Sequence, residues 1–259
     1  MKGLKNTIVA GLMMITASFA YAGDESYSQV LGFSKDGQYF AYVQSGIQDG
    51  SGFFWAQVDV IDTFQNKLLK RVYDDSEEES LNDEASDFTP SEEQQFINNL
   101  VQTAGLNRYG IDQNTKGRTV LSRSYTDMSE YKDTVFSIKY WAQGGASTSV
   151  ERFKINLTEQ KAPTEIHNQW CQDDFGYKSN MITLTLTGPT FGDEEDQSIA
   201  QTLTLQKDLR APSSRSCAYD YKVAQIINFN NAIIVLVNYQ TPGFEGPNYR
   251  FMAVTGKIK

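Results

Sequence analysis

Residues 182–187 read Ile-Thr-Leu-Thr-Leu-Thr, and this alternation restricts the backbone more than any other feature of the chain. In an extended strand, successive side chains point to opposite faces. Ile182, Leu184 and Leu186 therefore share one face, and Thr183, Thr185 and Thr187 share the other, which predicts a half-buried strand. Residues 152–157 (RFKINL) and 201–206 (QTLTLQ) repeat the pattern. Residues 233–237 (IIVLV) are apolar without a break, which predicts a strand buried on both faces.

Four segments share a larger plan: an apolar-rich run, a glycine-bearing loop and a second run. They cover residues 38–62, 134–157, 181–207 and 231–258. The last three start about 47 and 50 residues apart, a spacing typical of repeated units. Each reads as a β-hairpin with a long loop. The first hairpin has neighbours. Residues 26–34 form a strand, and Lys35-Asp36-Gly37 form a turn in which Asp36 accepts backbone hydrogen bonds and Gly37 takes a left-handed conformation. A fourth strand, KLLKRVYD, follows the turn at 63–66. Four antiparallel strands in series have the topology of a propeller blade.

These residues carry a resemblance. Phe33-Ser34-Lys35-Asp36-Gly37, Phe40-Ala41-Tyr42 and Val58-Asp59-Val60-Ile61-Asp62 resemble the blade motif of TolB-type and WD-repeat propellers. Residues 220–257 read the same way without that turn. Three patches (32–62, 214–226 and 242–256) are similar to a bacterial family of predicted secreted proteins carrying a domain of unknown function. That likeness implies export and supplies no activity. The expected fold is all-β, with repeated antiparallel hairpin or blade units in a propeller-like ring of four or five. A β-sandwich or an open barrel is the alternative.

One helix is expected near 90–104. Thr89-Pro90-Ser91-Glu92 is a capping box with Pro at the first helical position. Phe96, Ile97, Leu100, Val101 and Ala104 recur at helical spacing, and Gly105 is a stop signal. The stripe is packing or a partner-binding face. With the acidic stretch before it, the helix reads as an insertion at about 74–105.

The front end reads as a secretory signal peptide. Lys2 and Lys5 precede an uncharged, apolar stretch, and Ala20-Tyr21-Ala22 is a small-x-small cleavage signal. The stretch is short of the ~20 residues of a membrane-spanning helix. The expectation is cleavage after Ala22 and one all-β domain over 23–259, delivered to the periplasm or beyond, with no membrane insertion afterwards. The formal net charge of −9 argues against nucleic acid and anionic membrane as partners. Two cysteines in an oxidising compartment, Cys171 and Cys217, point to a disulfide, with buried thiols as the alternative.

Catalytic signals are sparse. A single histidine, His167, leaves no histidine metal cluster within one chain and has no Gly-x-Ser-x-Gly elbow before it. Carboxylates are plentiful, but sequence alone pairs none of them across a cleft. No cofactor is expected. The metal considered is Ca²⁺ at Asp193, Glu194, Glu195 and Asp196, which lack an EF-hand spacing. Several aromatic residues lie beside the long loops: Phe53, Phe54, Trp55, Tyr140, Trp141, Phe191, Tyr239, Phe244, Tyr249 and Phe251. They are core residues or, if the loops gather at one end, part of an exposed binding patch. The expected function is a non-enzymatic binding module of the cell envelope. Asp49, Phe53, Trp55, Phe244, Glu245 and Tyr249 are its candidate contacts with an envelope protein or a glycan. The alternative is a glycan- or envelope-polymer-directed hydrolase using a carboxylate pair.

Overall fold

A computed structural model describes residues 23–76, 89–123, 133–141, 148–163, 171, 179–190, 201–243 and 246–258. The strands in chain order are β1 Ser26–Ser34, β2 Tyr39–Ile47, β3 Phe54–Asp62, β4 Lys67–Asp75, β5 Ile111–Asp112, β6 Arg118–Ser122 and β7 Asp133–Trp141. They continue as β8 Thr148–Lys161, β9 Asn180–Thr190, β10 Gln201–Lys207, β11 Tyr219–Phe229, β12 Ala232–Pro242 and β13 Pro247–Lys257. One α-helix, α1, spans Pro90–Ala104.

Among the described residues these strands form three antiparallel sheets and no closed barrel. The first has the order β4-β3-β2-β1-β5, the middle one β13-β12-β11-β6, and the third β10-β9-β8-β7. All four expected hairpins are present, as β2–β3, β7–β8, β9–β10 and β12–β13. The expected count of four or five units is corrected to three sheets. The hairpins at 134–157 and 181–207 share one sheet, because β8 pairs with β9 along most of its length.

The middle sheet is covered on both faces. On β12, Ile234 and Leu236 pack with Phe33, Phe40 and Tyr42 of the first sheet. Their neighbours Ile233, Val235 and Val237 pack with Ile155, Leu157 and Leu184 of the third. All five of these β12 side chains are fully buried, which explains the unbroken apolar run. Burying each stabilises the stack by roughly 1.5–3 kcal/mol before conformational entropy is counted.

The outer face of the first sheet is closed by α1. Phe96, Leu100, Val101 and Ala104 join Val43, Phe54, Ala56 and Val58 in one core. The helix boundaries follow from local chemistry. Thr89 and Glu92 exchange hydrogen bonds in the capping box, and Gly105 adopts the left-handed conformation at the end. The helix therefore serves as a covering layer of the fold. Strand β4 runs to Asp75, so the sheet itself extends into the stretch expected to begin the insertion.

Alternation holds over residues 153–157 and 182–187 and fails at 201–206, where only Leu205 is buried and Leu203 is 44% exposed. A register shift between Thr204 and Gln206 reverses the faces there. A similar shift in β1, between Val30 and Gly32, sends Leu31 to the helix side and Phe33 to the middle sheet. Cys171 and Cys217 form a disulfide, with Cα atoms 5.3 Å apart.

Candidate functional site

Two concave regions have the chemistry of a site. The first is the loop end anticipated from sequence. Asp24, buried to 5% exposure, bonds to both loops. Its carboxylate accepts from the Asp49 N–H and, at 2.6 Å, from Arg250 Nη2. Its backbone C=O accepts from the Tyr249 N–H at 2.9 Å, and its N–H donates to Asn248 Oδ1 at 3.1 Å. The 48–53 loop and the β12–β13 turn are therefore held at one end of the molecule. Within the first loop, the Gln48 N–H donates to the Phe53 C=O at 2.8 Å.

Beside this knot lies a cleft of about 630 Å³, walled by the start of β1, the end of β2, the 48–53 loop and Glu93 of α1. Glu25, Asp49 and Glu93 line it and give it negative charge. Tyr27 and Ile47, also in the wall, are 68% and 53% exposed. The Tyr27 hydroxyl donates to Glu25 at 3.1 Å, and this bond, with the Glu25 charge next, raises its pKa.

The expected contact residues separate here. Asp49 lines the cleft. Phe53 and Tyr249 are half-buried. Trp55, expected among exposed loop aromatics, is 1% exposed in β3, with the Arg250 guanidinium 4.1 Å above its ring and Tyr73 stacked against it. Gly46 leaves room for that indole, because a Cβ there would meet the Trp55 Nε1 and the Glu25 C=O. Phe54, Tyr239 and Phe251 are also buried, so these four aromatics are core rather than patch. Phe244 and Glu245 lie outside the described residues, as do Asp193, Glu194, Glu195, Asp196 and His167. The side chains of Tyr140, Trp141 and Phe191 do as well. Among the described residues, no group of three or more His, Cys, Asp or Glu is placed to hold a metal.

The second region was not read from sequence. It is a cavity of about 230 Å³ where the three sheets meet beside edge strand β13. Two arginine–aspartate pairs face it. Asp59 on β3 lies opposite Arg71 on β4 in the ladder and accepts from its Nε and Nη2, both at 2.7 Å. Those hydrogen bonds push the Arg71 guanidinium further above its ordinary range. The Tyr42 hydroxyl lies 3.0 Å from the same carboxylate, and burial, then the Asp59 charge, raises its pKa. On the other wall, Asp208 accepts from Arg215 Nη2 at 2.8 Å, the Ile182 N–H at 2.9 Å and Gln206 Nε2 at 2.6 Å. Arg215 Nη1 donates to the Tyr221 hydroxyl at 2.9 Å. Both carboxylates are thus committed to donors within the protein.

The loop end was found by its turn residues. The cavity carried a weaker signal: with the turn at 63–66, an unbroken β3–β4 hairpin would set Asp59 across from Lys70, and a register shift between Val60 and Ile61 moves it onto Arg71. The Asp208–Arg215 pair had none beyond proximity, since burial of both side chains depends on the packing of the third sheet.

Residues 41–257 match the model of a family described as "Predicted secreted protein (DUF2259)". No curated protein and no solved structure matches the chain. No helix among the described residues is long and apolar enough to cross a membrane.

Proposed function

We propose, because this chain belongs to the DUF2259 family of predicted secreted proteins, that it works outside the cytoplasm as a non-enzymatic binding module. In this reading a signal peptide is cut after Ala22 and the chain from Gly23 onward folds as one all-β domain in the periplasm or beyond. Its loop end takes up a segment of an envelope protein. One observation carries the reading: Asp24 knits the 48–53 loop and the β12–β13 turn together beside the 630 Å³ cleft. Exposed Tyr27 and Ile47 supply apolar contact, and Glu25, Asp49 and Glu93 favour basic side chains on the partner.

The test is a cross-linking pull-down of the tagged mature protein from its native envelope fraction, read by mass spectrometry. The wild type is compared with a Tyr27→Ala/Ile47→Asp variant, both of whose changes are on exposed positions. The expected result is one or two reproducible partners that the variant loses while its melting curve is unchanged. Retention of every partner by the variant sinks the reading, as does a blank with wild type. A blank would direct the next assay to glycan binding.

A further inference from the structure

We infer that the cavity where the three sheets meet binds a small oxyanion, held by the outer edge of the Arg71 guanidinium, the Tyr239 hydroxyl and the Ala253 N–H. The cavity's carboxylates are used up: Asp59 accepts from Arg71, Tyr42 and Gln57, and Asp208 from Arg215, Gln206 and the Ile182 N–H. Apart from the Ala253 C=O, which lies on the same side of its strand as the Ala253 N–H, the groups left over are donors.

Arg71 spends Nε and Nη2 on Asp59, and its Nη1 has no partner among the described residues. Its side chain is 35% exposed and lines the cavity. Tyr239 is 7% exposed and also lines it. No protein group among the described residues bonds its hydroxyl, and that oxygen is not among the fully sealed, unpartnered atoms. It therefore opens on the cavity. Burial raises the Tyr239 pKa; the charges of Arg71, Arg215 and Arg250 oppose that rise, and the Asp59 charge adds to it.

The backbone of β13 contributes the third donor. An exposed sheet edge carries unpaired N–H and C=O groups. Here the first sheet covers it: the N–H groups of Tyr249, Phe251 and Thr255 donate to the Asp24 C=O, Gln44 Oε1 and Asn66 Oδ1 at 2.9, 2.8 and 2.8 Å. Antiparallel alternation turns the Ala253 N–H the same way. Among the described residues the first sheet sends it no partner, and Ala253 lines the cavity. The seal has a gap at Ala253, which lines the same cavity as Arg71 and Tyr239.

A volume of about 230 Å³ is below the about 300–1,000 Å³ of pockets for drug-sized ligands and suits an ion of a few heavy atoms. A guanidinium edge with a hydroxyl and a backbone N–H matches carboxylate and phosphate oxygens alike.

The test is isothermal titration of the mature protein at low ionic strength with inorganic phosphate and, separately, lactate. Two variants are compared with wild type after their melting curves show that they fold. Tyr239→Phe removes only the hydroxyl and is expected to weaken binding roughly tenfold. Leu68→Trp fills the cavity's edge from a residue 44% exposed and is expected to abolish it. Saturable binding that Tyr239→Phe weakens supports the site, and the tighter probe separates a phosphate ligand from a carboxylate. No saturable heat with either probe overturns it. So does an affinity that Tyr239→Phe leaves unchanged, whatever Leu68→Trp does.

Discussion

The two arginine–aspartate pairs of the junction have the same chemistry and differ in solvent access. Arg215 and Asp208 are 7% and 2% exposed at their side chains, whereas Arg71 keeps 35% beside an Asp59 at 2%. Removing one partner from a buried pair leaves a charge that water cannot reach, and the cost is large. Removing a partner that borders solvent lets water take its place. The buried pair therefore acts as a strut joining the third sheet to the turn at 213–215. The open pair keeps a guanidinium edge available to something else.

The contrast is open to direct attack. Arg215→Met should cost about 3–5 kcal/mol in urea unfolding, because Asp208 stays buried without its cation. The double change Asp208→Leu/Arg215→Met should recover most of that loss. A double variant as unstable as the single one would show that the pair does more than cancel its own charges. Cys171→Ser/Cys217→Ser should cost about 2–4 kcal/mol, since the bridge closes a separation of 46 residues next to the strut. Reducing agent should then leave the variant's unfolding curve where it is and shift the wild type's. Arg71→Met should cost about 1–2 kcal/mol, clearly less than Arg215→Met, because water reaches Asp59 once the side chain shortens. Equal losses for the two arginines would erase the distinction.

Away from the junction, Thr89→Ala should cost about 1 kcal/mol by removing the helix cap. The smallest effect is on pH dependence. The Ser34 hydroxyl, then the Gln38 N–H, hold the Asp36 carboxyl below its ordinary pKa. A depressed folded-state pKa gives stability that is present above the unfolded value, about 3.9 for Asp, and lost as pH falls through the folded one. Asp36→Asn keeps an acceptor for both bonds, so acid unfolding of the variant should be slightly flatter below about pH 4.

The features legible in the sequence were local. Period-two alternation located the hairpins, and Thr89 with Glu92 located the helix start. Cysteine count, with the export expected from the sequence, pointed to the bridge that Cys171 and Cys217 form. The layering was not legible, because pairing of β8 with β9 and of β6 with β11 is decided by distant partners. Bulges hid the rest. In β1 the shift between Val30 and Gly32 reverses parity, so the outward face of Tyr27 cannot be counted back from buried Phe33. Trp55 misled for a related reason. Its place at the loop suggested a contact residue, yet an arginine more distant in sequence, Arg250, covers its ring.

The order of the middle sheet along the chain also has a consequence in time. Strand β6 pairs with β11 across an intervening sheet, and the Gln225 side chain reaches Thr119 over 106 positions of sequence. Contacts of such separation form slowly, since loop closure must precede any return from the pairing. A chain emerging amino-terminus first would hold the first and third sheets with nothing between them until β11 to β13 arrived. The shared layer is then the last step of assembly.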